Sequence, residues 1–333
     1  MYGITARNPG EGLRIAIRRL LELGNIIDTR NGPAYTYDAP VLVNFTHPNE
    51  CFVADPVRDA NPFFALAEAF WLLAGREDTV FLDNYVRTFG ERYSDQGILM
   101  GSYGKRWRSH FGFDQIKAVI EKLRADPGTR QAVIQMWEPN DLTIKANDRP
   151  CNMSVVFRIR KGNLDITIMN RSNDIVNGMM GYNPTQFNML QRVVANFLGI
   201  PVGKYWICSN DAHVYVSDLE MLNARGELSK VLYPPRKFVR IVENQLTWDD
   251  DLNKLMDCLD ALHTKGKTDE PVLKNKFLSE VVYRACVSYY FHKQKRWSES
   301  WLVADVITDE SWRQFCIDWL ERRARNEQRV ANI

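Results

Sequence analysis

Apolar residues recur every three or four positions in several stretches of the chain, and in others they alternate with polar residues or form short runs. The first pattern is typical of helices that bury one face, and the second of strands. Helices are predicted in EGLRIAIRRLLELGN, NPFFALAEAFWLLAGRED, FDQIKAVIEKLRADPGTR and YNPTQFNMLQRVVANFLGI. The last of these begins after Pro184 and ends at Gly199. Strands are predicted in APVLVNF and QAVIQMWEP.

The segment MSVVFRIRKGNLDITIMNRSND is predicted to be a β-hairpin, because two β-branched runs flank Lys161, Gly162 and Asn163. DTRNGPAY is predicted to be a loop, and KYWICSNDAHVYVSDLEMLNAR to pass from a strand through a polar loop into a helix. From about residue 250 the pattern is largely helical. We therefore expect a main body over residues 1–249 and a helical C-terminal extension over residues 250–333, packed on the same domain.

Composition narrows the class of protein. Charged residues make up 25% of the 333 and nearly cancel to a net charge of +2, so nothing global favours nucleic acid as a partner. No apolar run approaches the roughly 20 residues that span a bilayer, and no signal peptide precedes the first helix, so a cytoplasmic protein without a membrane partner is expected. The six cysteines form no CxxC pair, and no histidine lies at metal-ligand spacing from a cysteine or another histidine, so no metal is expected.

The stretch DRPCNMSVVFRI places Cys151 between a proline and a predicted strand. Taken alone, such a cysteine is more often a small buried apolar residue than a nucleophile. The hairpin changes that interpretation, because residues 151 and 171 lie about equally far from its turn and are expected to be neighbours. An arginine beside a thiol lowers the pKa of the thiol and raises the fraction of reactive thiolate.

Five motifs in order along the chain resemble those of the thymidylate synthase family: DTRNG, SYGKRWR, RPCNMSVVFRI, NRSNDIVNGMMGYN and NDAHVY. With Glu68 in EAFWLL, the resemblance covers roughly residues 12 to 245 and makes the main body the catalytic one. It implies an α+β fold, with a large mixed β-sheet flanked by helices. It also implies a homodimer whose subunits pack sheet against sheet and share each phosphate site.

The resemblance implies that Cys151 adds to C6 of a pyrimidine nucleoside monophosphate, which makes C5 a nucleophile toward 5,10-methylenetetrahydrofolate. Glu68 and Tyr103 are expected to handle protons around the base. Asn183 is expected to read the base, with Asn177 and Asn188 as competing candidates. An asparagine favours uracil, since its carboxamide can donate to O4 and accept from N3–H.

The remaining expected site residues follow from the same resemblance. Phosphate ligands are Arg30, Arg130, Arg171 and Ser172, with Arg130 reaching across the dimer interface. His213 and Tyr215 hold the sugar 3′-hydroxyl, from one face of an extended segment. The folate contacts are Asp174, Gly178 and Tyr182.

Several positions depart from the family pattern. The segment before Asn183 is one residue longer than usual, GERY stands where tryptophans normally cover the folate, Asn152 replaces a histidine, and Gln131 replaces an arginine. The closing tail RRARNEQRVANI is also atypical. A missing indole wall admits water, which favours a 5-hydroxymethyltransferase acting on dUMP, or on dCMP or CMP.

Three other functions stay open. The chain could be a thymidylate synthase that makes dTMP and dihydrofolate, or a catalytically silent homologue that binds a nucleotide or RNA. A papain-like cysteine hydrolase is the third, and it needs a histidine base near Cys151.

Overall fold

The computed structural model describes residues 1–146, 148–229, 233 and 239–331, the last six by their backbone alone. The strands are β1 (Tyr2–Ala6), β2 (Asn25–Thr29), β3 (Gly32–Thr36), β4 (Val41–Phe45), β5 (Val133–Gln135), β6 (Asn152–Arg160), β7 (Asn163–Asn170), β8 (Asn173–Asp174), β9 (Val202–Ser209) and β10 (Ala212–Tyr215). The α-helices are α1 (Pro9–Leu23), α2 (Pro62–Leu73), α3 (Thr79–Asp83), α4 (Phe89–Tyr93), α5 (Tyr103–Arg108), α6 (Gln115–Ala125), α7 (Asn183–Leu198), α8 (Val216–Arg225), α9 (Trp248–Lys265), α10 (Arg284–Lys293), α11 (Trp297–Asp305) and α12 (Glu310–Ala331). A 3₁₀ turn covers Pro139–Leu142, and π-helical segments cover Ile175–Tyr182 and Leu278–Tyr283.

Within the described residues the strands form two sheets. The larger is mixed, in the order β1-β4-β9-β7-β6-β5, with β1 parallel to β4 and β7 parallel to β9. The smaller has the order β2-β3-β10-β8. The expected α+β fold with a large mixed sheet flanked by helices is confirmed, and the second sheet is an addition to it.

The β6–β7 hairpin forms as predicted. Arg160 pairs with Asn163, and the two turn residues between them, Lys161 and Gly162, have φ of 50° and 76°. Positive φ at both central positions suits the right-handed twist of the flanking strands. At the other end of the hairpin Asn152 pairs with Asn170, so Cys151 and Arg171 leave the sheet side by side.

One prediction of local structure is wrong. DTRNGPAY is not a loop, because β2 and β3 pair through it from Asn25↔Thr36 to Thr29↔Gly32. The turn is held by the Thr29 hydroxyl, which donates to the Gly32 carbonyl and accepts from the Asn31 amide. The largely helical pattern predicted from about residue 250 is confirmed by α9, α10, α11 and α12.

Helix α2 is buried along its whole length. The Asn61 side chain caps it by accepting from the amides of Phe63 and Phe64, and the helix packs against α7. An apolar helix enclosed on all sides fits the interior of a large domain. Glu68 lies in the middle of α2 and is therefore held inside the core.

The C-terminal helices pack on the rest of the chain through α2. Phe63 lies 5.3 Å from the Tyr289 ring and 5.5 Å from the Trp319 ring, and Arg323 forms an ion pair with Asp59 at 2.8 Å. The last two residues of the atypical tail, 332–333, lie outside the described residues. In the part of the chain that the structure describes, no helix is long and apolar enough to cross a membrane.

Candidate active site

Cys151 lies directly before β6, beside Arg171 at the end of β7. The Arg171 guanidinium is 3.7 Å from the Cys151 sulfur by its Nη2 atom, and its Nε donates to the Pro150 carbonyl at 2.9 Å. The Arg171 amide donates to the Cys151 carbonyl at 3.0 Å. The hairpin therefore places this arginine next to the sulfur, as the sequence predicted.

The electrostatic balance at Cys151 differs from the expectation. Burial raises the pKa of the Cys151 thiol, and Asp148 and Asp174 raise it further, whereas Arg171 and Arg30 lower it. The net direction is upward. Arg171 thus lowers the pKa of the thiol as predicted, but in the ligand-free protein desolvation of the charged form outweighs the attraction of the guanidinium.

Tyr103 begins α5, whose first turn is capped by the Ser102 hydroxyl, which accepts from the Lys105 amide. The Tyr103 hydroxyl accepts from the Asn152 amide at 3.5 Å, one residue after the nucleophile. Burial and the nearby Cys151 raise the pKa of Tyr103. Tyr103 therefore stays protonated and can act as a hydrogen-bond donor toward the space beside the sulfur.

Glu68 reaches the site from α2. Burial raises the pKa of its carboxyl to about 7, an effect opposed by Gln186, whose Nε2 donates to Glu68 Oε2 at 2.6 Å. A group with a pKa near neutrality can both give and take a proton at working pH. Gln186 was not among the expected site residues, although its position three residues after Asn183 places both on one face of α7.

Asn183 is the first residue of α7. Its Oδ1 accepts from Asn173 Nδ2 at 3.1 Å, and its Nδ2 donates to Gln186 Oε1 at 3.0 Å. The extra residue before Asn183 is accommodated by the π-helical segment, in which the Asn183 amide donates to the Gly178 carbonyl. Such π-helical turns are rare and occur frequently at functional sites.

The two competing asparagines lie in other surroundings. Asn177 accepts from Arg58 and donates to Asp174 and Asp218, in an exposed network. Asn188 is wholly enclosed. The geometry favours Asn183.

The residues expected to bind the sugar cluster on the smaller sheet. The rings of His213 and Tyr215 lie 5.2 Å apart, and the Tyr215 hydroxyl accepts from Asn31 at 3.2 Å. Asp211 accepts from the Ser172 hydroxyl at 3.3 Å and lies 3.7 Å from His213 Nδ1. One carboxylate thus accepts from an expected phosphate ligand and lies near an expected sugar ligand.

The other two arginines have different positions. Arg30 lies in the β2–β3 turn, close enough for its charge to lower the pKa of Cys151. Arg130 is exposed and lines a surface cavity with Glu121 and Gln131, and no other expected site residue is among the described residues that line it. A single chain therefore does not place Arg130 with the rest.

The expected folate residues lie around the π-helical segment. Asp174 Oδ1 accepts from the amides of Val176 and Asn177 at 2.8 and 3.1 Å. Tyr182 packs edge-on against Phe64, with ring centroids 4.8 Å apart. Gly178 has a packing reason to be glycine, because a Cβ there would overlap Asn173 Oδ1.

Three of the departures from the family pattern can be placed. Asn152 is buried, and its Oδ1 accepts from Asn170. Tyr93, at the end of α4, is 47% exposed. Burial raises the pKa of its hydroxyl, and the nearby Asp174 and Tyr215 raise it as well. Gln131 accepts from Lys122. A half-exposed phenol thus stands near the predicted folate contact Asp174.

The surroundings of the Cys151 sulfur bear on the hydrolase alternative. Arg171 donates a hydrogen bond to the sulfur, and no histidine among the described residues hydrogen-bonds to it. Nor do those residues contain a cluster of histidine, cysteine and carboxylate side chains that could hold a metal ion.

Comparison with known proteins agrees with the motifs. The thymidylate synthase family model matches residues 16–250. The deoxyuridylate hydroxymethyltransferase of Pseudomonas phage M6 is 30% identical over 97% of this chain and 95% of its own length. The deoxyuridylate hydroxymethyltransferase of Bacillus phage SP01 is 34% identical over 66% of this chain and 60% of its own. A thymidylate synthase of Francisella philomiragia subsp. philomiragia is 28% identical over 52% of this chain and 68% of its own.

Proposed function

The chain belongs to the thymidylate synthase family of one-carbon transferases, and we propose that it converts dUMP to 5-hydroxymethyl-dUMP with 5,10-methylenetetrahydrofolate as the one-carbon donor. One observation carries the choice of product. The similarity to the phage M6 hydroxymethyltransferase continues past residue 250, where the family model ends, and covers nearly the whole chain, including the C-terminal helices.

In this proposal the nucleotide phosphate binds to Arg30, Arg171 and Ser172, and the sugar 3′-hydroxyl binds to His213 and Tyr215. Guanidinium groups suit the task because they meet an anion with paired donors. The position of Asp211 supports the proposal, since Asp211 accepts from Ser172 and lies 3.7 Å from His213 Nδ1, which brings the expected phosphate and sugar contacts close together.

The Cys151 sulfur then bonds to C6 of the base and loses its proton, so that C5 becomes nucleophilic and takes up the one-carbon unit from the folate. After loss of the C5 proton and release of tetrahydrofolate, water adds to the exocyclic methylene of the base and elimination of the sulfur restores the C5–C6 double bond. Glu68 and Tyr103 exchange protons with the base and with water, a role that suits the Glu68 pKa of about 7.

A thymidylate synthase would instead reduce the methylene with hydride from tetrahydrofolate. The half-exposed Tyr93 favours water, because a site that admits solvent lets it compete for the methylene. The folate is expected to contact Asp174, Gly178 and Tyr182.

We also propose that the active form is a homodimer in which Arg130 completes the partner's phosphate site. The outer face of the larger sheet carries the exposed apolar side chains Val133, Met153 and Met169, which a second copy would cover. Arg130 lies in the loop that leads into β5, at the edge of this face.

Product analysis tests the proposed function. The protein is incubated with methylenetetrahydrofolate and dUMP, dCMP or CMP, and the nucleotides and folates are identified by mass. Hydroxymethyl-dUMP with tetrahydrofolate is the expected result, and Cys151→Ala should abolish it while nucleotide binding persists. Formation of dTMP with dihydrofolate would establish a thymidylate synthase, and binding without turnover would establish a silent homologue.

A further inference from the structure

Four buried polar side chains form a continuous hydrogen-bonded chain across the core. Asn173 donates to Asn183 at 3.1 Å, Asn183 donates to Gln186 at 3.0 Å, and Gln186 donates to Glu68 at 2.6 Å. The exposed fractions of the four residues are only 4%, 7%, 5% and 9%. Since buried polar groups are costly unless paired, each member depends on the next.

The hydrogen bonds of this series all run in the same direction, which Glu68 sets. The Gln186 NH₂ group faces Glu68 and its oxygen faces Asn183, the orientation that the ionised Glu68 carboxylate requires because it only accepts hydrogen bonds. Asn183 must in turn direct its NH₂ group to Gln186 and its oxygen to Asn173. Reversing the Asn183 amide would set donor against donor at Asn173 and acceptor against acceptor at Gln186.

The backbone leaves room for this arrangement. A Cβ at Gly178 would overlap Asn173 Oδ1 and would lie 3.2 Å from Asn183 Oδ1. The π-helical segment therefore presents a glycine at the point where the two asparagine side chains meet, and any larger residue would displace one of them.

A side-chain amide has two hydrogens and two lone pairs, and the hydrogen bonds to Asn173 and Gln186 use one of each on Asn183. We infer that this oriented series of hydrogen bonds selects uracil over cytosine. Asn173 and Gln186 are positioning residues, which hold the remaining amide hydrogen of Asn183 for O4 of the base and its remaining lone pair for N3–H. Cytosine presents the opposite pattern, an amino group at C4 and a bare N3, and can pair only with a reversed amide. The inference rests on the proposed function, because it takes Asn183 as the residue that reads the base.

Direct binding to the Cys151→Ala protein tests the inference without turnover. The affinities for dUMP and dCMP are measured by calorimetry in this background and after adding Gln186→Met, which keeps the volume but removes both hydrogen bonds. The preference for dUMP should fall about tenfold, the equivalent of one hydrogen bond. The matched control is Gln191→Met, a buried glutamine on the same helix that donates to the Leu164 and Lys204 carbonyls. That change should leave the ratio of affinities intact.

A second variant predicts a change in one direction and covers the case in which Gln186→Met does not fold. Asn173→Asp replaces the donor that faces Asn183 with an acceptor, so it favours the reversed amide and should shift preference toward dCMP. An unchanged ratio in folded Asn173→Asp protein, or an equal loss in Gln191→Met, would overturn the inference. If the Cys151→Ala parent itself shows no preference for dUMP, the failure lies with the proposed substrate instead.

Discussion

Replacing Arg171 with alanine should raise the pKa of the Cys151 thiol further. The guanidinium Nη2 lies 3.7 Å from the sulfur. At an effective dielectric constant of about 20, a unit charge at this distance is worth roughly 4 kcal/mol, or about a thousandfold in an equilibrium constant. The guanidinium is partly exposed and spreads its charge over three nitrogens, so we expect the rate of Cys151 alkylation at neutral pH to fall by about ten- to a hundredfold.

The assay is the rate of Cys151 alkylation by iodoacetamide as a function of pH, followed by mass spectrometry of the peptide that contains Cys151. Peptide analysis is needed because Cys208 and Cys258 are also only partly buried. Since the thiolate is the species that reacts, the midpoint of the profile reports the pKa of the thiol.

Arg149→Ala is the matched control. Arg149 is two residues from Cys151, but its Nη2 donates to the Ile144 carbonyl. Its removal should leave the alkylation profile in place. Coincident profiles for Arg171→Ala and the unmodified protein, or an equal displacement in Arg149→Ala, would refute the electrostatic argument.

Three further predictions follow from the dimer, the buried acid and a buried ion pair. The Arg130→Ala and Cys151→Ala proteins should each be inactive. A reassociated equimolar mixture of the two should recover about a quarter of the activity, since half the dimers would contain one intact site. No recovery would place Arg130 outside the partner's site. Glu68→Gln should abolish turnover and raise the free energy of unfolding. The increase should be about 2–3 kcal/mol larger at pH 8 than at pH 5. The folded pKa of about 7 exceeds the usual 4.5, so stability is lost as pH rises through this window, and equal effects at both pH values in urea titrations would contradict the assignment. The Asp141 carboxylate binds both terminal nitrogens of the buried Arg106 guanidinium at 2.7 Å. Asp141→Ala leaves that charge buried and unpaired, and should lower the free energy of unfolding by about 3–5 kcal/mol. A loss below about 1 kcal/mol in the same assay would show that the pair is dispensable.

Local pattern predicted the elements that depend on neighbouring residues. The β6–β7 hairpin followed from two β-branched runs and a glycine, and it was enough to bring Arg171 to Cys151. The β2–β3 hairpin was missed because β2 has mostly exposed side chains, so the segment does not alternate between buried and exposed residues as a half-buried strand does. The chain alone cannot reveal which short exposed segments will find a partner strand.

Burial is the property that sequence could not supply at the site. It outweighed the expected effect of Arg171 on the pKa of the thiol, because desolvation depends on everything packed around Cys151. It also hid Asn173 and Gln186, whose role depends on contacts between the π-helical segment, α7 and α2. The motif predicted Asn183 as the base-reading residue. Asn173 and Gln186, which hydrogen-bond to its amide, were not among the expected site residues.

The two reactive groups share one consequence of that burial. At neutral pH the Cys151 thiol is largely protonated and Glu68 is about half ionised, since burial raises the pKa of both. A bound phosphate would also offset the charge of Arg171, which otherwise favours the thiolate. In the proposed reaction, attack on C6 therefore proceeds from a largely neutral sulfur, with the proton leaving as negative charge develops on the base. Turnover should persist at pH values below the midpoint of the alkylation profile, and a pH–rate profile that follows thiolate formation in the free protein would contradict this coupling.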